Sequence, residues 1–330
     1  MYKRQRLARR AQELQRQGYE IISLNIGNPG LFGFRTPETM RLAMIENLPE
    51  AEGYCHQKGI FPAREAVVMQ QQMRGVSGVS AEEVFIGNGV SELIDLVLRA
   101  LLNDGDEVLV PSPDYPLWTA AVNLNRGRAV HYPCKPENGF LPDPEEIEAQ
   151  ITRKTRALVV INPNNPTGAV WPRALLEQIV RIAEKHQLVI FSDEIYDQMV
   201  YDGAVSTPIA TLVRDTLCCT LSGLSKIYRA CGYRVGWAVF SGRTQGAGDY
   251  LSALELLSSL RLCANVPAQW AVQTALGGHQ SMSERVRWAL ANRSRLLEMQ
   301  RPFYDEMAQR DWMVAASEYA ELFSKLAAKS

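Results

Sequence analysis

TRALVVINPNNPTGAVWPRALLEQIVRIAEKHQLVIFSDE, residues 155–194, decides the fold. It opens on TRALVVINP, a β-branched run of strand length, and closes on a second such run, LVIFSDE. Between them, RALLEQIVRIAEKHQ sets Leu175, Leu176, Ile179, Ile182 and Ala183 on one side of a helix. Strand, helix and strand in that order make a parallel pair with the helix lying over the sheet.

The same alternation extends outward on both sides. Upstream, EEVFIG, DEVLVPS and RAVHYP are predicted strands, and SELIDLVLRALL, PLWTAAVNLN and DPEEIEAQI are predicted helices, the last starting at Asp143 or Pro144. Downstream, TLCCTLSG and YRVGWAVFSG are predicted strands. The expected fold is α/β: a mostly parallel sheet flanked on both faces by helices. After about residue 246 the pattern turns helical, through YLSALELLSSLRL, PAQWAVQTALGG and a long run from Ser283 that Pro302 is expected to kink or break.

Composition narrows the function classes. The 330 residues are 46% hydrophobic and 22% charged, with a formal net charge of −1, so a soluble globular chain is expected and a nucleic-acid surface is not. MYKRQRLARR at the start is basic, but no apolar region follows it as in a secretory signal. No run of about 18 uncharged apolar residues is present, so no membrane span is expected. The six cysteines form no C-x-x-C pair and the four histidines show no ligand spacing, so the expectation is reduced thiols in a cytoplasmic protein with no metal.

Polar motifs fall where strands end, and ligands of open α/β sheets bind at those ends. In SGLSKIYRACGYRVG (222–236) a lysine, Lys226, follows a strand inside a loop of small residues, with Arg234 eight residues on. A lysine in a loop is usually a solvated charge, but here the glycines permit close backbone approach and the arginine offers a fork for phosphate. DEIY follows the strand LVIFS and carries Asp193 and Tyr196. NPNNPTG (162–168) is a rigid turn on any reading. IGNGVSELI (86–94) runs a strand through Gly-Asn-Gly into a helix start, where free amides and the dipole attract phosphate.

Together these motifs resemble the class I/II pyridoxal-phosphate-dependent aminotransferases, of fold type I, over about residues 20–280. The wording LNIGNP, GYCHQKG, PDYPLWTAAV and RLCANVPAQ looks most like the bacterial alanine (glutamate–pyruvate) transaminases. The resemblance implies pyridoxal 5′-phosphate held by Lys226, with Asp193 beside the pyridine nitrogen and Tyr196 and Asn165 at the phenolic oxygen. It puts Tyr115 over the ring, and makes Gly89, Val90, Ser225 and Arg234 the phosphate cup. Tyr54 would reach the phosphate of the neighbouring subunit of a homodimer. Gly27 and Asn165 would contact the substrate. The catalytic set is then Lys226, Asp193 and Tyr196, and the expected substrates are an amino acid, alanine or glutamate, and a 2-oxo acid, pyruvate or 2-oxoglutarate.

The domain division this implies is an N-terminal segment (1–34), a large cofactor-binding α/β domain (35–280) and a long helix with a partial small domain (281–330). The family's arginine for the substrate α-carboxylate has no visible counterpart in the tail, MAQRDWMVAASEYAELFSKLAAKS, so an incomplete substrate site is expected. Other chemistry on the same scaffold, such as that of a C–S β-lyase, shares every cofactor residue named. So does a truncated cofactor-binding protein with little activity.

Overall fold

The computed structural model describes residues 2–21 and 27–277, which belong to one compact unit. The expected long helix, its Pro302 break and the partial small domain lie outside these residues. In chain order the elements are α1 (Tyr2–Arg16), α2 (Glu38–Glu46), α3 (Phe61–Met73), β1 (Val84–Gly87), α4 (Val90–Leu101), β2 (Glu107–Ser112), α5 (Leu117–Leu124), β3 (Arg128–Lys135), β4 (Leu141–Pro142), α6 (Pro144–Ala149), β5 (Thr155–Ile161), α7 (Arg173–Lys185), β6 (Val189–Asp193), β7 (Leu217–Gly223), β8 (Gly236–Gly242), α8 (Gly248–Leu260) and α9 (Val266–Gly277). The expected start of α6 is met by Asp143, whose Oδ1 accepts the Glu145 N–H at 2.9 Å. Helix α1 was not among the sequence expectations.

One sheet carries the eight strands of the described residues, in the order β1-β8-β7-β6-β5-β2-β3-β4. Pairings β2–β3, β2–β5, β5–β6 and β6–β7 are parallel. The expectation of a mostly parallel sheet flanked by helices is met, with a departure near each edge: β8 runs antiparallel to both neighbours, β1 and β7, and the two-residue β4 runs antiparallel to β3. Between β7 and β8 lie twelve residues with only a short 3-10 turn, Cys231–Tyr233. Without a helix to cross the sheet, the chain folds straight back, and Gly223 pairs with Gly236.

Side chains along the inner strands alternate between two apolar layers. Leu158, Val160 and Ile190 face α7 and the α2–α3–α9 group, where Met40, Ala63, Val67, Ile179 and Ala271 are fully buried. Ala157, Val159, Ile161 and Phe191 face α4, α5 and α8, with Leu93, Val97, Trp118 and Leu254. Each fully buried Leu, Ile or Val contributes about 1.5–3 kcal/mol. After β2 the chain adds β3 on one side, then crosses to lay β5 on the other. The strand order reverses there, and a crevice opens at the carboxyl ends of the strands.

Candidate functional site

Each wall of that crevice is delivered by a strand end. From β2 the chain turns through Tyr115, 36% exposed, into α5. Trp118, in the first turn of α5 and fully buried, donates its indole N–H to Asp193 Oδ2 at 3.2 Å. From β5 the turn NPNNPTG is held from beneath by its two buried asparagines. Asn162 Oδ1 accepts the Trp171 N–H at 2.9 Å, and Asn164 Oδ1 accepts both the amide and the hydroxyl of Thr167. Asn165, half-buried, lines the crevice.

Asp193 ends β6 at 3% exposure, and the Ile195 N–H reaches its Oδ1 at 3.4 Å. Burial raises its pKa to about 6; the Glu194 charge pushes the same way, while Trp118, Ile195 and Lys226 oppose it. Tyr196 follows one turn later, its hydroxyl pushed up to about 12 by burial and by Asp193 and Tyr115.

The mouth of the β7–β8 fold-back carries Ser225 and Lys226. It is closed by Leu224 N–H to Val235 O at 3.0 Å and Ala230 N–H to Leu224 O at 3.0 Å. Lys226 Nζ lies 5.9 Å from the centre of the Tyr196 ring. Arg234 precedes β8 in the left-handed region, φ 55°, rather than opening the strand as its apolar neighbours had suggested. Its guanidinium donates to Cys231 O at 2.8 Å and to Asn88 O at 3.3 Å, which brings it against the start of α4. At Gly89, φ 84°, a Cβ would stand 2.3 Å from Arg234 Nη2, so only glycine lets the arginine and the helix start meet.

The result is a cavity of about 640 Å³. Lys226, Asp193, Tyr196, Asn165 and Tyr115 line it, as do Val90, Ser225, Arg234 and Gly27. Of the other two residues singled out in the sequence, Gly89 abuts Arg234 just behind Val90. Tyr54 is not part of this lining and is 81% exposed. Asn28 and Cys231 also line the cavity, bonded to each other through Cys231 Sγ to Asn28 Oδ1 at 3.6 Å. Neither carried a signal in the sequence beyond its place inside a quoted motif.

Chemically the cavity combines three features. The first amides of α4, the Ser225 hydroxyl and the Arg234 guanidinium can hold an anion. A buried carboxyl can be satisfied by a cation on a ring. A lysine amine stands at the same cavity and can bond a carbonyl carbon. Among the described residues no group of His, Cys, Asp and Glu is arranged to hold a metal ion, and no helix is long and apolar enough to cross a membrane.

A family model described as aminotransferase class I and II matches residues 19–326. A protein named glutamate-pyruvate aminotransferase AlaA, from Haemophilus influenzae, is 51% identical over 299 residues, covering 91% of this chain and 73% of that protein. The protein of the same name from Escherichia coli K12 is 54% identical over 274 residues, covering 83% of this chain and 68% of that protein. A crystal structure of an aminotransferase from Escherichia coli superposes with a TM-score of 0.83 at 53% identity, covering 84% of this chain and 69% of that one.

Proposed function

We propose that this chain, which belongs to the aminotransferase class I and II family, moves an amino group between alanine or glutamate and the matching 2-oxo acids, pyruvate and 2-oxoglutarate. The reaction type follows from the family; the choice of alanine and glutamate rests on the names of the relatives. Members of the family depend on pyridoxal 5′-phosphate. The observation that carries the reading is the convergence of Lys226, Asp193 and the Arg234–α4 anion site on one cavity.

The residues present fit this cofactor. Its phosphate suits the cradle at Gly89, Val90, Ser225 and Arg234, where the glycine leaves room that a Cβ would fill. Its ring nitrogen suits Asp193, a carboxyl that burial leaves short of countercharge. Its aldehyde suits the amine of Lys226. When bound, the cofactor supplies an electron-poor ring that accepts the electron pair left at the substrate α-carbon.

The rest is the work of the chain. Lys226 would hold the cofactor through its amine, and, once freed by the substrate amine, its Nζ would take the α-proton as general base and return it as general acid. The Asp193 carboxylate would keep the proton on the ring nitrogen, an interaction worth most when negative charge develops. The Tyr196 hydroxyl and the Asn165 amide would hydrogen-bond the phenolic oxygen of the bound cofactor, and the Tyr115 ring would lie against its pyridine ring. Gly27 and Asn165 contact the substrate carboxylate. Tyr54, exposed and outside the cavity lining, serves the phosphate of a second subunit in a homodimer. The six free cysteines suit a reducing compartment, and we place the reaction in the cytoplasm.

Borohydride reduction of the cofactor-loaded chain, followed by peptide mass spectrometry, is expected to leave the label on Lys226, and Lys226→Ala is expected to abolish turnover of alanine with 2-oxoglutarate. A label on Lys58 or Lys185 would overturn the assignment. Turnover of other amino acids but not alanine would overturn the substrate choice alone.

A further inference from the structure

Behind the cavity, on the side of α3, lies a buried cluster of charges. Glu194, 2% exposed, is the residue after Asp193. Its Oε1 accepts from Ser192 Oγ at 2.9 Å and from the Ile209 N–H at 3.1 Å. Its Oε2 accepts from Arg74 Nη2 at 2.5 Å. Arg74 closes the last turn of α3, and the same Nη2 stands 3.4 Å from Asp197 Oδ2. Two carboxyls thus share one guanidinium, with side-chain exposures of 2% and 8% against 16% for the arginine. A buried carboxylate costs several kcal/mol unless paired, so this cluster needs a reason to exist. Each of those carboxyls directly follows a site residue, Glu194 after Asp193 and Asp197 after Tyr196.

We propose that Arg74 is a positioning residue for the reaction: by pairing with Glu194 it offsets the negative charge next to Asp193, and so sets how readily the Asp193 carboxyl gives up its proton. The inference rests on the reading of Asp193 as the partner of the cofactor ring nitrogen, because only an ionised Asp193 can hold that proton.

The groups facing Asp193 are few. Trp118 reaches it from α5 and the Ile195 amide from its own segment, both as hydrogen-bond donors, and the Tyr196 hydroxyl lies in its field. Lys226, from the β7–β8 fold-back, favours its ionised form, and Glu194 opposes it. Glu194 in turn meets Arg74 from α3, Ser192 and the Ile209 amide, with Asp197 and the Cys218 thiol of β7 in its field. Of the charges in this second ring, Arg74 is the cation, and a neighbouring like charge moves a carboxyl by one or more pH units. Removing Arg74 therefore leaves Glu194 to act on Asp193 uncompensated. Removing Glu194 leaves the guanidinium's field to favour ionisation.

The test is the titration of the Asp193 carboxyl in the full chain, read by carbon-13 NMR and assigned with Asp193→Asn. The affinity for pyridoxal phosphate is measured across the same pH range. Arg74→Met is expected to raise the Asp193 midpoint by about one pH unit and Glu194→Gln to lower it by a similar amount. The double variant should return close to the parent, and Arg74→Lys should stay with it. A role in packing alone would destabilise both single variants without moving the midpoint in opposite directions, and that result would overturn the proposal. Should Arg74→Met fail to fold, Glu194→Gln and the double variant decide: equal midpoints in those two would show that the Arg74 charge is not felt. If the midpoints move as expected while cofactor affinity ignores them, this inference stands and the assignment of Asp193 to the ring nitrogen falls.

Discussion

At the scale of the residue, Asp193 shows how one side chain can weaken the fold while serving the site. Burial raises its pKa to about 6, against roughly 3.9 for an aspartate in an unfolded chain. Between those values the folded, cofactor-free chain keeps a proton that the unfolded chain releases. The stability Asp193 contributes is therefore fully present below about pH 4 and is lost as pH rises through about 6. Each unit of difference is worth about 1.4 kcal/mol. Asp197, also raised to about 6, mainly by burial, acts with the same sign. Cofactor-free Asp193→Asn should then be more stable than the parent at about pH 7.5, by about 1–3 kcal/mol, with the gain vanishing near pH 4. Urea unfolding at the two pH values checks this; no gain at the higher pH would mean that the carboxyl is better solvated than its surroundings imply. The loaded chain should respond in the opposite sense. If Asp193 holds the ring nitrogen as proposed, losing its charge should lower turnover by about 10²–10³, far more than it weakens cofactor binding.

At the scale of the element, the fold-back from β7 to β8 does most to build the site, and close approach governs it. A Cβ on Gly236 would stand 2.6 Å from the Val90 nitrogen, and one on Gly223 2.7 Å from Val235 O. Gly236→Ala should push the start of α4 off its place and weaken pyridoxal phosphate binding about tenfold, which corresponds to roughly 1.4 kcal/mol. The sheet should survive, since its apolar layers are untouched. Equilibrium dialysis against the cofactor measures the first and far-ultraviolet circular dichroism the second; unchanged affinity would show that the α4 amides are not part of the anion site. This element also marks how far the sequence could be read. Strand positions and the buried stripe of α7 were legible because apolar runs and helical spacing are local signals. The direction of β8 was not, because an apolar run has no polarity and only the missing crossover helix tells. The motif residues could be gathered because each follows a strand end. Trp118, Arg74 and Glu194 could not be assigned, because their partners are distant in the chain: 75 residues separate Trp118 from Asp193 and 120 separate Arg74 from Glu194. Helix α1 carries Leu7, Ala11 and Leu14 at helical spacing, a stripe too thin in so basic a segment to mark a helix.

At the scale of the whole molecule, exposure and anchoring bear on where Tyr54 works. Its ring is exposed, and the exposed apolar side chains Ile45, Leu48 and Phe61 flank it in sequence. The segment is anchored to α8 by Gln57 Nε2, which donates to Glu255 Oε1 at 2.6 Å, and by Lys58, which pairs with Glu255 at 3.1 Å. Leu256 and Leu260 of α8 are exposed as well. Exposed apolar side chains on the segment that carries Tyr54 and on the helix it is tied to are what a partner subunit would cover, and a two-fold interface presents the same residues from both sides. If Tyr54 reaches the phosphate of the partner's cofactor, each site takes its lysine from one subunit and its tyrosine from the other. Tyr54→Ala and Lys226→Ala homodimers should then both be impaired, for different reasons. In a mixed dimer the site with an intact Lys226 receives an intact Tyr54 from its partner and is native, while the other site lacks both. With random exchange at equal concentrations about half of the dimers are mixed, each with one working site of two, so about a quarter of the parent activity should return. Activity measured after exchange, with mixed dimers counted by native mass spectrometry, checks the number. Mixed dimers that form and stay as inactive as their parents would place Tyr54 within its own subunit's site or outside any site, and the exposed patch would then need another partner.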